Sequence, residues 1–413
     1  MDYFVFFVAA LWAVVVAVAH DYQRRPPIGE ENNIAIHLAR GDGFINPLDP
    51  SPRAGPTAWS PPAAPYLMAS VYRAWGIRTP EAITILMFLS SAAFGALVAG
   101  INVLGRIHFS SSAGLIAAGL LAIHPMFLYF ADELGDTIPA LAMFVWLLVA
   151  ASRGGSVPFA ALLGVAMGIL SLTNSSYVFS YPLIGWHATR LHAAGRRSVA
   201  LPMMVVTFGL ALTPWTVRNY QVFGRLMYVR DVTPYVLWLG NQPVSTGLAD
   251  EQSMAMTPYK NGVQREILIK IGELEYCRRC GDVFMRDLRA DPWRFVRLTF
   301  LRAGYLFVGP TNPPPHAVPP FLSGTVIAGM MIEKVAVTSL TAVLGVGGIV
   351  LALRKSRNAI WLAGAATLAV LPFVITEVTD RYLLPLWAIF LLFGAYLIEA
   401  AVSRRGRSTR SGN

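Results

Sequence analysis

The feature that most constrains this chain is a series of long apolar runs from which charge is nearly absent. The first, residues 4–20, reads FVFFVAALWAVVVAVAH, and nine more follow at 82–104, 113–130, 137–152, 157–173, 176–190, 198–214, 335–353, 358–376 and 383–402. At 1.5 Å of rise per residue, roughly 20 apolar residues in a helix cross the hydrocarbon core of a bilayer. Lipid offers no partner for backbone N–H and C=O groups, so only helices and closed barrels span it. Continuous apolar runs without two-residue alternation select helices. Only 14% of the 413 residues are charged, against about a quarter in soluble domains. The expected fold is an all-α polytopic membrane protein with about ten transmembrane helices.

The net charge of +10 has a topological reading rather than a nucleic-acid one. Basic residues follow the second, fourth, sixth and eighth runs: Arg106; Arg153; Arg190 with Arg196 and Arg197; and Arg354, Lys355 and Arg357. A basic tail, RRGRSTR, follows the tenth. All five clusters share one side if both termini are cytoplasmic. The N-terminus lacks a basic region and a small-residue cleavage site, so it reads as a retained first span. Two long segments, 21–81 and 215–334, then lie outside. This predicts three parts: an N-terminal transmembrane module (1–214), a large outer loop with interfacial helices (215–334), and C-terminal helices with the basic tail (335–413). The stretch 293–309 carries Arg294, Arg297 and Arg302. Three arginines are costly in lipid, so it is expected to lie at the interface as an amphipathic helix.

The outer segments hold the candidate chemistry. In PPIGEENNIAIHLARGDGF, Glu30 and Glu31 open an apparent amphipathic helix, where acids also favour the dipole. ADELGDT puts Asp132, Glu133 and Asp136 at an outer boundary, where Asp136 or Thr137 suits a helix cap. Arg218 in TPWTVRNY and Arg381 in DRYLLPLW stand at the same outer level. There they suit either lipid headgroups or bidentate phosphate binding. Cys277 and Cys280 have no second pair and no nearby His to complete a zinc set. They read as an incidental pair or a local disulfide, and no metal ligand is assigned. The chain has no GxxxxGK, HExxH or G-x-S-x-G motif. GVAMG (164–168) inside a run points to close helix packing. The runs contain almost no ionisable residues, which argues against a secondary transporter or channel.

The order of these motifs resembles that of the GT-C superfamily of polytopic glycosyltransferases. The nearest likeness is to the bacterial branch related to protein mannosyltransferases and lipid A aminoarabinose transferases, which is family 39-like. The carrying motifs are Ile34-Ala35, Leu38, Gly41 and Gly43-Phe44 after an acidic residue; GPTAW; PWTVRNYQVFG (214–224); LWLGNQP (237–243); and RYLLPL (381–386). This chain departs from the pattern by having Glu-Glu where many relatives have Asp.

The resemblance implies a sugar donor carried on polyprenyl phosphate and an acceptor hydroxyl or amine on a glycolipid, polysaccharide or protein. Transfer would be inverting, on the periplasmic side of a bacterial inner membrane, and membrane lipids would be partners. Glu30 is then the first candidate for general base and Glu31 the second, with Asp21 a weaker third. Arg218, Arg381, Lys260 and Lys270 are candidates for the donor phosphate. Asp136, His37, Trp59, Tyr382 and Asn241 are candidates for acceptor or sugar contacts, or for shaping the loops. A divalent metal is left open. The rival readings are a flippase for a lipid-linked saccharide and a non-catalytic envelope-assembly partner.

Overall fold

Each of the ten apolar runs is helical in the computed structural model, which describes residues 2–22, 27, 29–48, 55–190, 194–249, 251–311 and 324–410. Residues 49–54 of the first outer segment, and the side chains of Arg196 and of the basic tail 404–410, lie outside the described residues. The helices are α1 (Asp2–Ala19), α2 (Glu30–Arg40), α3 (Ala63–Trp75), α4 (Pro80–His108), α5 (Ser111–Ile123), α6 (Pro125–Asp132), α7 (Thr137–Arg153), α8 (Val157–Thr173), α9 (Tyr181–Arg190) and α10 (Ala194–Phe223). They continue with α11 (Thr233–Gly240), α12 (Glu251–Ala255), α13 (Gly262–Ile271), α14 (Glu273–Ala290), α15 (Pro292–Val308), α16 (Gly324–Lys355), α17 (Ile360–Ile375) and α18 (Asp380–Arg410). Among the described residues the only β pairing is two isolated bridges, Ile45 with Pro56 and Leu248 with Val378.

The length of the helices does not confirm the count of ten spans. Among the described residues six are long and apolar enough to cross a bilayer: α1, α4, most of α10, α16 and α18, and α17 together with the 3₁₀ turn before it (Arg357–Ile375). A seventh results if α5 and α6 are taken as one span bent by 58°. Pro125 causes that break, since it lacks the N–H that would continue α5. The apolar helices α7 and α8 have 17 residues each. The run at 176–190 divides into a 3₁₀ segment (Ser175–Ser180) and the ten-residue α9.

Hydrophobic faces dictate the packing, with α1 along α4, α8 along α10 and α16 along α18. The small residues of GVAMG work as expected: a Cβ at Gly164 would collide with the Met204 carbonyl, and one at Gly168 with Ala211, both on α10. Polar contacts sort to the two ends of the bundle. At one end Asp2 pairs with Arg106, Ser110 donates to Glu399, and the Ser356 hydroxyl meets Tyr396 at 3.3 Å. At the other, His20 meets Asp132 at 3.3 Å and Tyr22 meets Thr84 at 2.9 Å. This second end carries the outer segments.

Among those segments, α14 buries Glu273, Tyr276, Cys277, Cys280 and Phe284 at helical spacing, against Trp59, Tyr235 and Trp238. Both cysteines are free thiols, and burial pushes that of Cys280 up to about 12. They are core residues of this face. α15 exposes Trp293 and Phe300, in keeping with an interfacial helix, but Arg302 is fully buried. Its guanidinium donates to the carbonyls of Gly240, Gly247 at 3.2 Å and Ile375 at 3.4 Å, and to Asn241 Oδ1 at 3.1 Å. Arg302 therefore bolts together the turns after α11 and α17.

Candidate active site

Four carboxylates reach the same end of the bundle from two turns of the chain. Glu30 and Glu31 occupy the first turn of α2, which starts at Gly29 (φ 87°). Ile34, Ala35 and Leu38 of α2 pack with Met68, Ala69 and Tyr72 of α3 and with Leu134. Tyr72 donates to Asn32 Oδ1 at 2.7 Å, which fixes the rotation of α2. The two glycines of the G-x-G-F pattern have φ of 91° (Gly41) and 98° (Gly43), a region that favours glycine. The first ends α2, and together they return Phe44 to the same hydrophobic cluster. The motif is thus a way of aiming the first turn of α2.

Glu133 and Asp136 come from the turn between α6 and α7, where Leu134 sits at φ 59°. A Cβ on Gly135 would stand 4.0 Å from Glu31 Oε2, so this turn abuts α2. Asp136 occupies the cap position of α7 but makes no side-chain cap bond. It accepts instead from Asn174 Nδ2 at 3.2 Å. The capping role expected from the sequence is replaced by one facing the carboxylates. Tyr259, from the second outer segment, donates to Glu30 Oε2 at 3.3 Å.

Crowding changes the proton affinity of the group. Burial, then Asp136 and Glu30, raises Glu31 well above the usual carboxylate range. Glu133 and Asp136 are also raised, by burial first, against the opposing field of Arg381. Arg230 also acts on Asp136. Burial and the neighbouring like charges thus act in one direction on Glu31, Glu133 and Asp136, each favouring the protonated form.

The other candidates divide between this cluster and its supports. Arg381, exposed at the start of α18, donates to Tyr382 Oη at 3.1 Å and its field reaches Glu31, Glu133 and Asp136. Tyr382 stacks on Phe373 with centroids 3.8 Å apart. Arg218 is committed to the carbonyls of Thr57 (2.8 Å) and Phe44 (3.0 Å) and to Asn219 Oδ1 (2.9 Å). It clasps the two sides of the first loop, while Glu273 accepts from Thr57 Oγ1 and from the Ala58 N–H at 2.7 Å. Trp59 is buried 4.8 Å from the Tyr235 ring. GPTAW thus docks the first loop onto α14. His37 is buried, with Nδ1 2.8 Å from Asp42 Oδ2. Asn241 is bonded to Arg302 and Leu237. Lys260 and Lys270 are exposed, the latter at the end of α13.

Sequence reasoning did not single out Tyr259, Arg230, Asn174 or Glu273, and it took Glu133 only as part of a capping turn. The one available signal was the i, i+3 spacing of Glu133 and Asp136. A divalent cation needs several oxygens converging at about 2.0–2.6 Å. Among the described residues no three His, Cys, Asp or Glu side chains are so gathered, and no chemical step is assigned to a metal.

No protein-family model matches the chain, and no curated protein sequence does. Solved structures do. The archaeal oligosaccharyltransferase AglB from Archaeoglobus fulgidus, in complex with an inhibitory peptide and a dolichol-phosphate, is similar at TM-score 0.56 and 14% identity, over 100% of this chain and 52% of that one. The same organism's enzyme in complex with Zn and sulfate is similar at TM-score 0.55 and 14% identity, over 97% and 49%. ArnT from Cupriavidus metallidurans, bound to undecaprenyl phosphate, matches at TM-score 0.36 and 14% identity, over 94% and 77%. This chain spans about half the length of the oligosaccharyltransferase. It is a multi-pass membrane protein with the fold of that archaeal enzyme's matching half.

Proposed function

We propose that this protein moves a sugar from a polyprenyl-phosphate-linked donor to an acceptor hydroxyl or amine, with inversion, on the periplasmic side of a bacterial inner membrane. The observation that carries the proposal is the convergence of Glu30, Glu31, Glu133 and Asp136 under the field of Arg381. The solved archaeal enzyme of like fold holds a dolichol-phosphate, which supports a lipid phosphate as the carrier. Glu31 is the better suited base, because a raised proton affinity matches a carboxylate to proton abstraction near neutral pH. Glu30, held by Tyr259, stands beside it.

In this reading Glu31 accepts the proton of the acceptor O–H or N–H as that atom attacks the anomeric carbon. The bond from the anomeric carbon to the phosphate oxygen breaks, and polyprenyl phosphate leaves with its electron pair. Negative charge builds on that phosphate, and Arg381 is positioned to stabilise it. Arg381 suits this role better than Arg218, whose guanidinium is already occupied by three acceptors. The test is transfer by the purified protein from a panel of undecaprenyl-phosphate-linked sugars. Glu31→Gln should lower turnover by about 10²–10⁴-fold with donor binding retained. Full turnover in Glu31→Gln sinks the assignment. A flippase would need no such base.

A further inference from the structure

Glu30 and Glu31 are adjacent and alike in the sequence, but the fold gives them different neighbours. Tyr259 Oη donates to Glu30 Oε2 at 3.3 Å. Glu31 instead meets the fields of Asp136, Glu30 and Glu133, with Arg381 the opposing cation. The phenol is built into its place. Its ring packs against the cluster of Trp59, Tyr235, Trp238 and the buried face of α14. The turn that carries it is closed by the Lys260 and Asn261 N–H groups, which donate to the Thr257 carbonyl at 3.2 and 2.8 Å. Arg265, on α13, donates from Nε to the Pro258 carbonyl at 2.9 Å and from its guanidinium to the Tyr259 carbonyl. α13 is in turn tied to α14, where the Tyr276 hydroxyl donates to Gln264 Oε1 at 2.9 Å. Two helices of the second outer segment therefore aim this hydroxyl at the first turn of α2.

A hydroxyl that donates to a carboxylate favours the charged form of that carboxylate. Tyr259 keeps its proton for this: burial first, then the charge of Glu30, holds the phenol well above its usual range. Tyr235 and Glu273, the other groups facing it, act in the same direction. Charge on Glu30 then acts outward, disfavouring charge on Glu31, Glu133 and Asp136. Arg381 from α18 opposes it at all three, and Arg230 at Asp136. Tyr259 thus bears on Glu31 by way of Glu30. With the donor in place the charge sits on Glu30, and Glu31 holds its proton to higher pH. Without it Glu30 takes up a proton more readily, the repulsion on Glu31 falls, and Glu31 ionises at lower pH.

We propose that Tyr259 is the positioning residue of the base: its hydroxyl keeps the charge of the pair on Glu30 and so leaves Glu31 as the carboxylate that takes the acceptor's proton. The catalytic part of this rests on the glycosyltransferase reading above. The test uses the full-length protein in detergent as wild type, Tyr259→Phe, Glu30→Gln and the double variant. Phenylalanine keeps the ring and its packing. Ionisation of Glu31 is followed by infrared spectroscopy across pH, its carboxyl band identified by its loss in Glu31→Gln. The pH profile of kcat/KM is measured in parallel with whichever undecaprenyl-phosphate-linked hexose of a panel is turned over best. Tyr259→Phe should move both the Glu31 titration and the acid limb of the profile about one pH unit lower. The weaker base should lower the plateau kcat about threefold, with KM for the donor unchanged. In the Glu30→Gln background, where there is no charge to place, the same substitution should move neither curve. A Glu31 titration unmoved by Tyr259→Phe, or moved equally with and without Glu30, overturns the proposal. Absence of transfer by the wild type from every donor in the panel defeats the glycosyltransferase reading alone, and the infrared titration still decides whether Tyr259 places the charge.

Discussion

Replacing Glu273 by Gln should leave the protein's stability nearly unchanged in acid and raise it progressively toward alkaline pH. Glu273 is 7% exposed and accepts from the Thr57 hydroxyl and the Ala58 N–H. Those bonds and Arg218 favour the charged form, but burial outweighs them and lifts the carboxyl from 4.5 to about 7. At 1.36 kcal/mol per tenfold change in proton affinity, the lift corresponds to about 3 kcal/mol. The folded state holds this proton more tightly than the unfolded one. The associated stability is therefore full below the unfolded value near 4.5 and is lost as pH rises through 7. A glutamine keeps the shape and an acceptor for Ala58 but carries no charge, so its contribution does not vary with pH. The assay is thermal unfolding of wild type and Glu273→Gln in the same detergent from pH 4.5 to 8.5, where the other titrating groups cancel in the difference. A difference that stays constant over this range, or that grows toward acid, refutes the reasoning.

Other perturbations test the supports of the site. Thr57→Val leaves Glu273 with one donor fewer and should cost about 1–3 kcal/mol, read as a lower unfolding temperature and faster proteolysis of the first loop. Arg302→Met strands the carbonyls of Gly240, Gly247 and Ile375 and should cost about 3 kcal/mol or more. Unchanged melting would contradict its role as a bolt. Arg381→Gln should lower kcat/KM for the lipid-linked donor by roughly 10²–10³-fold. It also removes a cation that holds Glu31 down, so the acid limb of the pH profile should move to higher pH.

Much of the fold was legible because it depends on local patterns. Apolar runs marked the helices, and Ile34, Ala35 and Leu38 marked the buried face of α2. The glycines at 41 and 43 marked its sharp exit. The span count was less legible, because whether α7, α8 and α9 reach across a bilayer depends on where turns and Pro125 cut the runs. Side-chain destinations were least legible. Arg302 has the spacing of an interfacial residue but is buried, since carbonyls from turns 55 to 73 residues away along the chain meet it. Asp136 occupies a cap position but faces Asn174. Tyr259 reaches Glu30 from 229 residues away. Periodicity carries no record of such pairings, which arise only when the outer segments fold back on the bundle.

The central claim is that a crowded carboxylate of α2 acts as the general base. The most direct measurement is the pH dependence of kcat/KM for transfer from an undecaprenyl-phosphate-linked sugar by wild type, Glu30→Gln and Glu31→Gln. Activity should rise with pH through an acid limb lying well above the ordinary glutamate value of about 4.3, because Glu31 must lose its proton to act. In Glu31→Gln the limb should vanish along with nearly all turnover, while the donor still binds. A wild-type limb at the ordinary glutamate value, or an unaltered profile in Glu31→Gln, would contradict the account.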